Sequence, residues 1–364
     1  MRNGSNKMRK LRYGIIGLGG IGFDKHLPEY AKLKDEVEII AAADISESNL
    51  QKAIKQYNIP YGFTDYRELL AMKDIDFVSV CLPNFMHAPV TIEALQAGKH
   101  VHCEKPMARN GKEAQNMLDA KITSGKKLMI GLNNRFTPYS RYIKQYIDEG
   151  SLGEIYFAKC GWLRRNVIPA SGWFLDKNLA GGGALIDLGV HYIDLVMYFM
   201  NFPKLRSIMG KTYSKFINSD KRILYSSPGV KPEANTKFDV DDMAVGFIEL
   251  QNDAGVQFEI SWASNTEREM SFYELYGTRG GVKFVKYPGE PGILRIYTVI
   301  NGEHVDIEPK ITPVIFDQSE FKDFIGCIME DREPKYAPVE QCVEMMKIID
   351  AIYASSETRK QIVF

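Results

Sequence analysis

The chain has 364 residues, of which 45% are hydrophobic and 25% charged, and its 46 Lys and Arg residues balance 46 Asp and Glu residues. This length predicts two domains, the composition is typical of a globular protein, and the charge balance argues against a nucleic acid or an anionic membrane surface as partner. The five cysteines are scattered among apolar neighbours, which is typical of reduced thiols in a cytoplasmic protein rather than of a disulfide framework.

The N-terminal segment carries the fingerprint of a dinucleotide-binding βαβ unit. A predicted strand, residues 11–16, leads directly into Gly17-Leu18-Gly19-Gly20-Ile21-Gly22, and a second predicted strand, residues 37–43, ends on Asp44. In this G-x-G-x-x-G pattern the glycines permit a tight turn, close approach of a pyrophosphate, and close packing of the next helix. The sequence therefore predicts a phosphate-binding loop at the N-terminus of that helix. Its residues are Gly17, Gly19, Gly20, Ile21 and Gly22.

Asp44 is the residue that favours one dinucleotide over the other. At the end of the second strand, its carboxylate is expected to accept hydrogen bonds from the adenosine ribose hydroxyls. Ile45 and Ser46, which follow it, offer no arginine for a 2′-phosphate. We therefore expect NAD rather than NADP. The apolar run before the glycines is too short for a secretory signal, which is consistent with a cytoplasmic protein.

Strands and helices alternate as far as residue 131. The predicted helices are 48–56, 66–72, 88–97 and 111–124, and the predicted strands are 61–63, 77–82, 100–103 and 127–131. Such alternation predicts a parallel doubly wound sheet, in which ligands bind beyond the carboxyl ends of the strands. Pro83-Asn84-Phe85-Met86-His87 and Glu104-Lys105-Pro106 lie at such ends. We predict a Rossmann domain over residues 1–132, whose cofactor site includes Pro83, Asn84, His87, Glu104 and Lys105.

From residue 133 the pattern changes to one of β-strands with few helices between them. The predicted strands are 153–163, 205–213, 243–250, 256–262, 270–276, 282–285 and 294–299, and helices follow at 320–330 and 339–354. Several strands alternate apolar and polar residues, which predicts an antiparallel sheet with one covered face. The polar stretch 217–238 is predicted to be a mobile loop. We expect residues 133–364 to form an α+β domain that binds substrate and mediates oligomerisation.

A buried helix over residues 184–200 carries a polar stripe. Asp187, His191, Asp194 and Tyr198 are spaced i, i+4, i+7 and i+11, which places them on one face of an otherwise apolar helix. Ionisable groups are costly in a dry core, so we expect the stripe to face a cleft that holds water or ligand. The alternative is that Asp187 and His191 hydrogen-bond each other and join two core elements. A metal site is not predicted, because no further ligands have suitable spacing.

Lys105, Asp187 and His191 together suit the oxidation of an alcohol. This reaction needs a base for the hydroxyl proton and a group that stabilises the developing alkoxide. His191 is the predicted base, because the unperturbed pKa of histidine lies near neutral pH. Lys105 is predicted to stabilise the alkoxide, and Asp187 to orient His191 or to bind a neighbouring hydroxyl. The alternative for Lys105 is an ordinary surface lysine after a strand.

These motifs resemble those of the Gfo/Idh/MocA oxidoreductases, named for glucose-fructose oxidoreductase and inositol dehydrogenase. The glycine loop, Pro83-Asn84 with His87, Glu104-Lys105-Pro106 and the segment from Gly181-Gly182-Gly183 to His191 all match the family pattern. The resemblance implies an N-terminal Rossmann domain, a C-terminal domain with a large open, mainly antiparallel sheet, and dimers or tetramers formed through that sheet. It also implies that Lys105, Asp187 and His191 are the catalytic group, and it makes Lys105-Pro106 a candidate cis peptide bond.

The substrate is the least determined part of this interpretation. The family acts mostly on sugars, inositols, sugar acids and glycosides, at a ring secondary hydroxyl or an anomeric carbon. Trp162, Arg164, Arg165 and Trp173, the last followed by Phe174, are predicted to form a sugar-binding wall of aromatic faces and hydrogen-bond donors. The alternative is that they are core aromatics and solvated arginines. We expect an NAD-dependent sugar or polyol dehydrogenase; the alternative is a glycoside-processing enzyme that retains its NAD, or a non-catalytic NAD-binding sensor.

Overall fold

Two β-sheets organise the protein. The computed structural model describes residues 9–169, 172–216, 219, 223–225, 238–312 and 319–364. Most of the loop predicted at 217–238 lies outside these residues.

The first sheet has six parallel strands. They are β1 (Leu11–Ile16), β2 (Val37–Ala43), β3 (Tyr61–Phe63), β4 (Phe77–Val80), β5 (His100–Cys103) and β6 (Leu128–Ile130), in the order β3-β2-β1-β4-β5-β6. Every neighbouring pair is parallel. The strand order reverses between β1 and β4, and a crevice for ligands forms at the carboxyl ends of the strands at such a point. The predicted Rossmann sheet is confirmed.

Helices connect these strands. The chain leaves β1 through a π-helical turn at Gly22–His26 and continues as α1 (Leu27–Lys32), followed by α2 (Glu47–Tyr57), α3 (Tyr66–Ala71), α4 (Asn84–Gln96) and α5 (Gly111–Ser124). Side chains at the N-caps satisfy the first backbone N–H groups of α2, α3 and α5. Helix α4 begins four residues earlier than predicted, with Pro83 as its N-cap residue. Asn84 and His87 therefore lie in its first turn.

Among the described residues, the second sheet has nine strands and is mainly antiparallel. Its strands are β7 (Ile155–Leu163), β9 (Leu205–Tyr213), β11 (Met243–Leu250), β12 (Gly255–Ser261), β13 (Met270–Gly277), β14 (Gly280–Lys286), β15 (Ile293–Ile300), β16 (Glu303–Ile307) and β17 (Ile362–Val363); β8 (Ile168–Pro169) and β10 (Leu224–Tyr225) form a separate pair. Among neighbours in the large sheet, only β7 and β12 run parallel. The reason is that β7 lies between β12 and β13, which run in opposite directions, so it must be parallel to one of them.

Helices α8 (Val190–Phe199) and α10 (Val339–Thr358) pack against this sheet. The other helices of this part of the chain are α6 (Pro138–Asp148), α7 (Lys177–Ala180) and α9 (Glu320–Met329). A π-helical turn, Leu185–Gly189, leads into α8, and nearly every side chain from 184 to 200 is buried. The segment Lys177–Phe199 is long and apolar enough to cross a membrane, but most of it lies inside the protein core. The predicted buried helix is thus present, with a π-helical first turn.

Helix α9 packs against the first sheet although it comes from the C-terminal part of the chain. Phe321 lies 5.1 Å from the ring of Tyr30, and Phe324 lies 5.9 Å from the ring of Phe77, measured between centroids. These rings belong to one buried cluster that also contains residues of β1. The C-terminal segment therefore completes the core on one face of the Rossmann sheet.

Candidate active site

The glycine loop is tightly packed on one side and open on the other. Gly17 has φ +94°, and a Cβ there would lie 2.3 Å from the carbonyl oxygen of Cys81, while a Cβ at Gly22 would lie 2.0 Å from the carbonyl oxygen of Gly17. A Cβ at Gly19 would meet nothing within 4 Å, and one at Gly20 would have no neighbour closer than 3.8 Å. This open side, at the N-terminus of the helical segment, fits the pyrophosphate of a dinucleotide.

Asp44 is fixed beside the glycine loop by backbone hydrogen bonds. Its Oδ2 accepts from the N–H of Leu18 at 2.6 Å, and its Oδ1 accepts from the N–H of Ser46 at 2.7 Å. A carboxylate has about four lone-pair sites, so two remain for ribose hydroxyls. The carboxylate is half-buried. Its position and remaining acceptor capacity fit the adenosine ribose of NAD.

Asn84 and His87 hold the backbone at the carboxyl edge of the first sheet. Asn84 Nδ2 donates to the carbonyl oxygen of Ala180 at 2.8 Å, which joins α4 to α7. The ring nitrogens of His87 lie 2.7 Å from the carbonyl oxygens of Pro106 and Leu82. Both side chains therefore act on the protein's own backbone, and their contribution to cofactor binding, with that of Pro83, stays a prediction.

Glu104 is a buried carboxylate next to the predicted catalytic lysine. Its Oε1 lies 3.0 Å from His26 Nε2 and 3.3 Å from Lys25 Nζ, and its Oε2 accepts from the backbone N–H of Lys105 at 3.1 Å. Burial alone would raise the pKa of Glu104, but the hydrogen bond from His26 and the charge of Lys25 hold it well below its usual value. The ionised Glu104 thus anchors the backbone at Lys105, and the Lys105–Pro106 peptide bond is cis.

Lys105, which follows β5 of the first sheet, forms an ion pair with Asp187, which lies in the π-helical turn before α8. Lys105 Nζ donates to Asp187 Oδ1 at 2.9 Å and to the Asp187 carbonyl oxygen at 3.2 Å, while Trp262 Nε1 donates to Oδ2 at 3.0 Å. Both carboxylate oxygens are therefore engaged, and Asp187 orients Lys105 rather than His191.

The electrostatics keep Asp187 ionised. Burial alone would raise its pKa, but the charges of Lys105 and Arg164 and the hydrogen bonds from Lys105 and Trp262 leave the pKa below its ordinary value. The ion pair therefore persists at neutral pH.

His191 lies next to this ion pair and is neutral. It is 8% exposed, and its Nδ1 is sealed from solvent without a hydrogen-bond partner among the described residues, so Nε2 is the ring nitrogen left to face a ligand. Burial and the charge of Lys105 lower the pKa of His191 to about 3. The unperturbed pKa of histidine, on which the prediction of His191 as the base was grounded, therefore does not apply in this environment, and the role of His191 as the base stays a prediction.

The other half of the polar stripe does not face the cleft. Arg135 donates from Nε to Asp194 Oδ2 at 2.7 Å and from Nη2 to Oδ1 at 2.6 Å, and neither residue is more than 1% exposed. The Arg135 guanidinium also lies 4.7 Å from the ring centroid of Tyr198. The expectation of a single wet stripe is therefore wrong for Asp194 and Tyr198, because a buried arginine from the turn Asn133–Phe136 neutralises that end of the helix.

Trp162 and Arg164 form a wall beside His191, which we call the substrate wall. The rings of Trp162 and His191 are 5.8 Å apart, and the Arg164 guanidinium lies 5.2 Å from the Trp162 ring. Both side chains are held by Glu269, whose Oε1 accepts from Trp162 Nε1 at 3.0 Å and lies 3.6 Å from Arg164 Nε. These two predicted substrate residues are thus brought to the candidate site.

Arg165 and Trp173 have other neighbours. Arg165 is exposed and donates from Nη1 to the carbonyl oxygen of Glu267 at 3.0 Å. Trp173 lies on a 3₁₀ turn, Gly172–Leu175, with its ring centroid 4.0 Å from that of Phe174. Their part in substrate binding stays a prediction.

Family models match most of the chain. Residues 11–132 match an oxidoreductase family with an NAD-binding Rossmann fold, and residues 140–283 match the GFO/IDH/MocA C-terminal domain. The chain belongs to the GFO/IDH/MocA oxidoreductase family. The predicted family, NAD as cofactor and oxidoreductase class are therefore confirmed.

Individual members of the GFO/IDH/MocA family extend this comparison. The chain is 31% identical over 352 residues to D-glucoside 3-dehydrogenase of Escherichia coli (strain K12), covering 96% of each protein. It is 28% identical over 289 residues to levoglucosan dehydrogenase of Pseudarthrobacter phenanthrenivorans, covering 76% of this chain and 74% of that protein. A solved levoglucosan dehydrogenase in complex with NADH and levoglucosan has the same fold, with a TM-score of 0.83 and 23% identity over 98% of this chain and 99% of that one.

Asp241 is one of several site residues of this family member that the sequence interpretation missed. It accepts from the N–H groups of Gly183 and Leu185 at 2.8 and 2.9 Å, and from the hydroxyl of Tyr353 at 2.7 Å. A Cβ at Gly183 would lie 1.8 Å from the Asp241 carbonyl oxygen, and one at Gly182 would lie 2.0 Å from the Tyr353 hydroxyl. Consecutive glycines are a general signal of close backbone approach, but they do not identify which residue approaches. The other missed residues of the site are Trp262 and Glu269; Arg135, which was also missed, pairs with Asp194 in the core.

Proposed function

We propose that this protein is an NAD-dependent dehydrogenase that oxidises a secondary, or anomeric, hydroxyl of a sugar, glycoside or polyol. The observation that carries the proposal is the Lys105–Asp187 ion pair beside the neutral His191. The similarity to D-glucoside 3-dehydrogenase and to levoglucosan dehydrogenase supports this substrate class. The similarity to D-glucoside 3-dehydrogenase makes a ring hydroxyl of a glucoside the first candidate for the group that is oxidised.

The chain's own residues would hold the cofactor as follows. The glycine loop, with Gly17, Gly19, Gly20, Ile21 and Gly22, binds the pyrophosphate, and Asp44 binds the adenosine ribose. Bound NAD supplies the hydride acceptor. The residues around the nicotinamide end are Pro83, Asn84, His87, Glu104 and Lys105.

Lys105, His191 and Asp187 divide the work on the substrate hydroxyl. The Lys105 ammonium stabilises negative charge on the oxygen as its proton leaves, and Asp187 holds that ammonium in place. His191 accepts the proton at Nε2 in the tautomer that carries its own proton on Nδ1, because Nδ1 is buried and Nε2 is the nitrogen that can reach a ligand. Trp162 and Arg164 contact the ring of the substrate, with Arg165 and Trp173 as further contacts.

The proposal also includes the domain boundary, the cellular location and the oligomeric state. The boundary falls between residues 132 and 133, and the protein is cytoplasmic. It forms dimers or tetramers through the second sheet. An apolar patch on that sheet supports the assembly: Phe247 and Met209 are exposed cross-strand neighbours, and the Phe247 ring lies 6.3 Å from that of Phe157.

The proposal is tested by NAD reduction at 340 nm with methyl β-D-glucopyranoside, levoglucosan, D-glucose and myo-inositol. The wild type is compared with Lys105→Ala and His191→Ala, and NAD affinity is measured separately by calorimetry. We expect turnover on at least one ligand, loss of turnover in both variants, and NAD affinity within about twofold of wild type, because neither side chain belongs to the glycine loop or to Asp44.

The outcomes separate the alternatives. Undiminished turnover in both variants would refute the assigned roles. Absence of turnover on every ligand, with nicotinamide absorbance retained after dialysis, would instead favour a glycoside-processing enzyme that keeps its NAD, or an NAD-binding sensor.

A further inference from the structure

Glu269, immediately before β13, organises the substrate wall. A single oxygen, Oε1, accepts the hydrogen bond from Trp162 Nε1 and faces Arg164 Nε. The guanidinium of Arg164 is stacked on Trp162, whose ring is the neighbour of His191. The rotamers of both wall residues therefore depend on one carboxylate that the family motifs do not include.

The positive charges around His191 are already compensated. Lys105 is paired with Asp187 at 2.9 Å, and Arg164 faces Glu269 at 3.6 Å. An anionic group is usually bound by arginine or lysine side chains that are free to form charge-assisted hydrogen bonds. Within the part of the chain that the structure describes, each of these two cations has a carboxylate partner. A carboxylate or phosphate on the substrate would have to displace one of those partners and leave it unpaired.

The second carboxylate oxygen of Glu269, Oε2, differs from Oε1 in its hydrogen bonding. Oε2 receives no hydrogen bond from a described residue, and the side chain is 26% exposed. A carboxylate oxygen in such a position accepts hydrogen bonds from hydroxyl groups and repels anions. The face of Trp162 and the remaining N–H donors of Arg164 complete a surface suited to an uncharged, polyhydroxylated ring.

We propose that Glu269 determines specificity by selecting uncharged ring polyols or glycosides over sugar acids and sugar phosphates. Its Oε2 accepts a hydrogen bond from a substrate hydroxyl, and its negative charge neutralises Arg164, which would otherwise attract an anion. This inference rests on the proposed function, because it concerns the substrate of the same site. It extends that proposal by excluding charged members of the carbohydrate class.

The test compares two ligands that differ only at one carbon. Methyl β-D-glucopyranoside and its C6 carboxylate, methyl β-D-glucuronide, are titrated by calorimetry into the protein saturated with NADH. The variants are Glu269→Gln and the control Glu308→Gln; Glu308 is an exposed glutamate paired with Arg295 at 2.7 Å, so the control also loses a contact with an arginine. Thermal melting of each variant checks the fold.

The wild type is expected to bind the neutral glycoside at least about tenfold more tightly than the glucuronide. Glu269→Gln should weaken binding of the neutral glycoside by about tenfold, as for loss of a hydrogen bond to a charged group. It should also tighten binding of the glucuronide, because Arg164 loses its counter-charge, and a merely structural role would not produce this opposite change. The control should leave both affinities unchanged.

Three results would overturn the inference: equal or tighter binding of the glucuronide by the wild type, unchanged affinities in Glu269→Gln, or no binding of either ligand. NAD reduction with each ligand keeps the two proposals distinct. Lys105-dependent oxidation of the glucuronide with a kcat/KM equal to or above that for the neutral glycoside would refute the inference and leave the dehydrogenase in place. Discrimination that depends on Glu269, without turnover of either ligand, would support the inference and count against the dehydrogenase.

Discussion

Replacement of Asp194 by asparagine, compared with the same change at Asp187, separates the two ends of the polar stripe. Both aspartates lie on one buried helical segment, and each is paired with a cation. Asp194 receives two hydrogen bonds from Arg135, whereas Asp187 orients Lys105 at the candidate site. We therefore expect Asp194→Asn to lower stability and Asp187→Asn to lower activity.

The size of the stability loss follows from the burial of the pair. Removing one partner of a buried ion pair costs about 3–5 kcal/mol, because the remaining charge is left uncompensated. Asparagine keeps one acceptor oxygen but turns an N–H₂ group toward an Arg135 donor, and Arg135 retains its bonds to Tyr336 and Gln341. We expect a loss of about 3 kcal/mol, which corresponds to a fall in melting midpoint of roughly 6 °C.

Thermal melting and steady-state kinetics measure the two effects on the same preparations. At a temperature where both variants are folded, Asp194→Asn should retain kcat within about threefold, while Asp187→Asn should lose about 100-fold or more, as for a misplaced group that stabilises an oxyanion. If Asp194→Asn melted like the wild type and lost as much activity as Asp187→Asn, the whole stripe would face the cleft and the structural argument would fail.

Two further predictions concern the cofactor and pH. Asp44→Ala should raise the NAD dissociation constant by about tenfold or more while changing NADP affinity less, and equal effects on both in calorimetry would contradict the ribose role. The pKa of His191 is about 3 when folded and near 6.5 when unfolded, so unfolding takes up a proton between these values and stability falls as pH decreases from about 6.5. His191→Asn should reduce this slope by up to about 1.4 kcal/mol per pH unit, and melts with the same pH dependence as wild type would refute it.

Local signals made much of the fold predictable. The bounds of β1, β2 and α5 agree with the sequence prediction, because each has an apolar run or periodicity bounded by glycine or by a capping residue. Helix α6 and strand β16 were not predicted. The parallel pairing of β7 with β12 was also missed, because it depends on which strand lies between two distant ones.

At the candidate site, the sequence predicted which residues come together but not which side chains they contact. Motif context singled out Lys105, Asp187 and His191, and the structure brings them together although Lys105 and Asp187 are 82 residues apart in sequence. The roles of Arg135 and Trp262 depend on tertiary packing. The low pKa of His191 likewise arises from burial and a neighbouring charge that no local pattern encodes.

The packing of α9 against the first sheet has a consequence for how the protein is made. Phe321 and Phe324 cover the rings of Tyr30 and Phe77, yet they are synthesised roughly 190 residues after the last strand of that sheet. A nascent N-terminal domain therefore emerges from the ribosome with part of its aromatic core exposed to water and to chaperones. Contacts of such large sequence separation also slow folding, because the closure of a long loop precedes them. The Rossmann domain completes its core only after α9 has been synthesised.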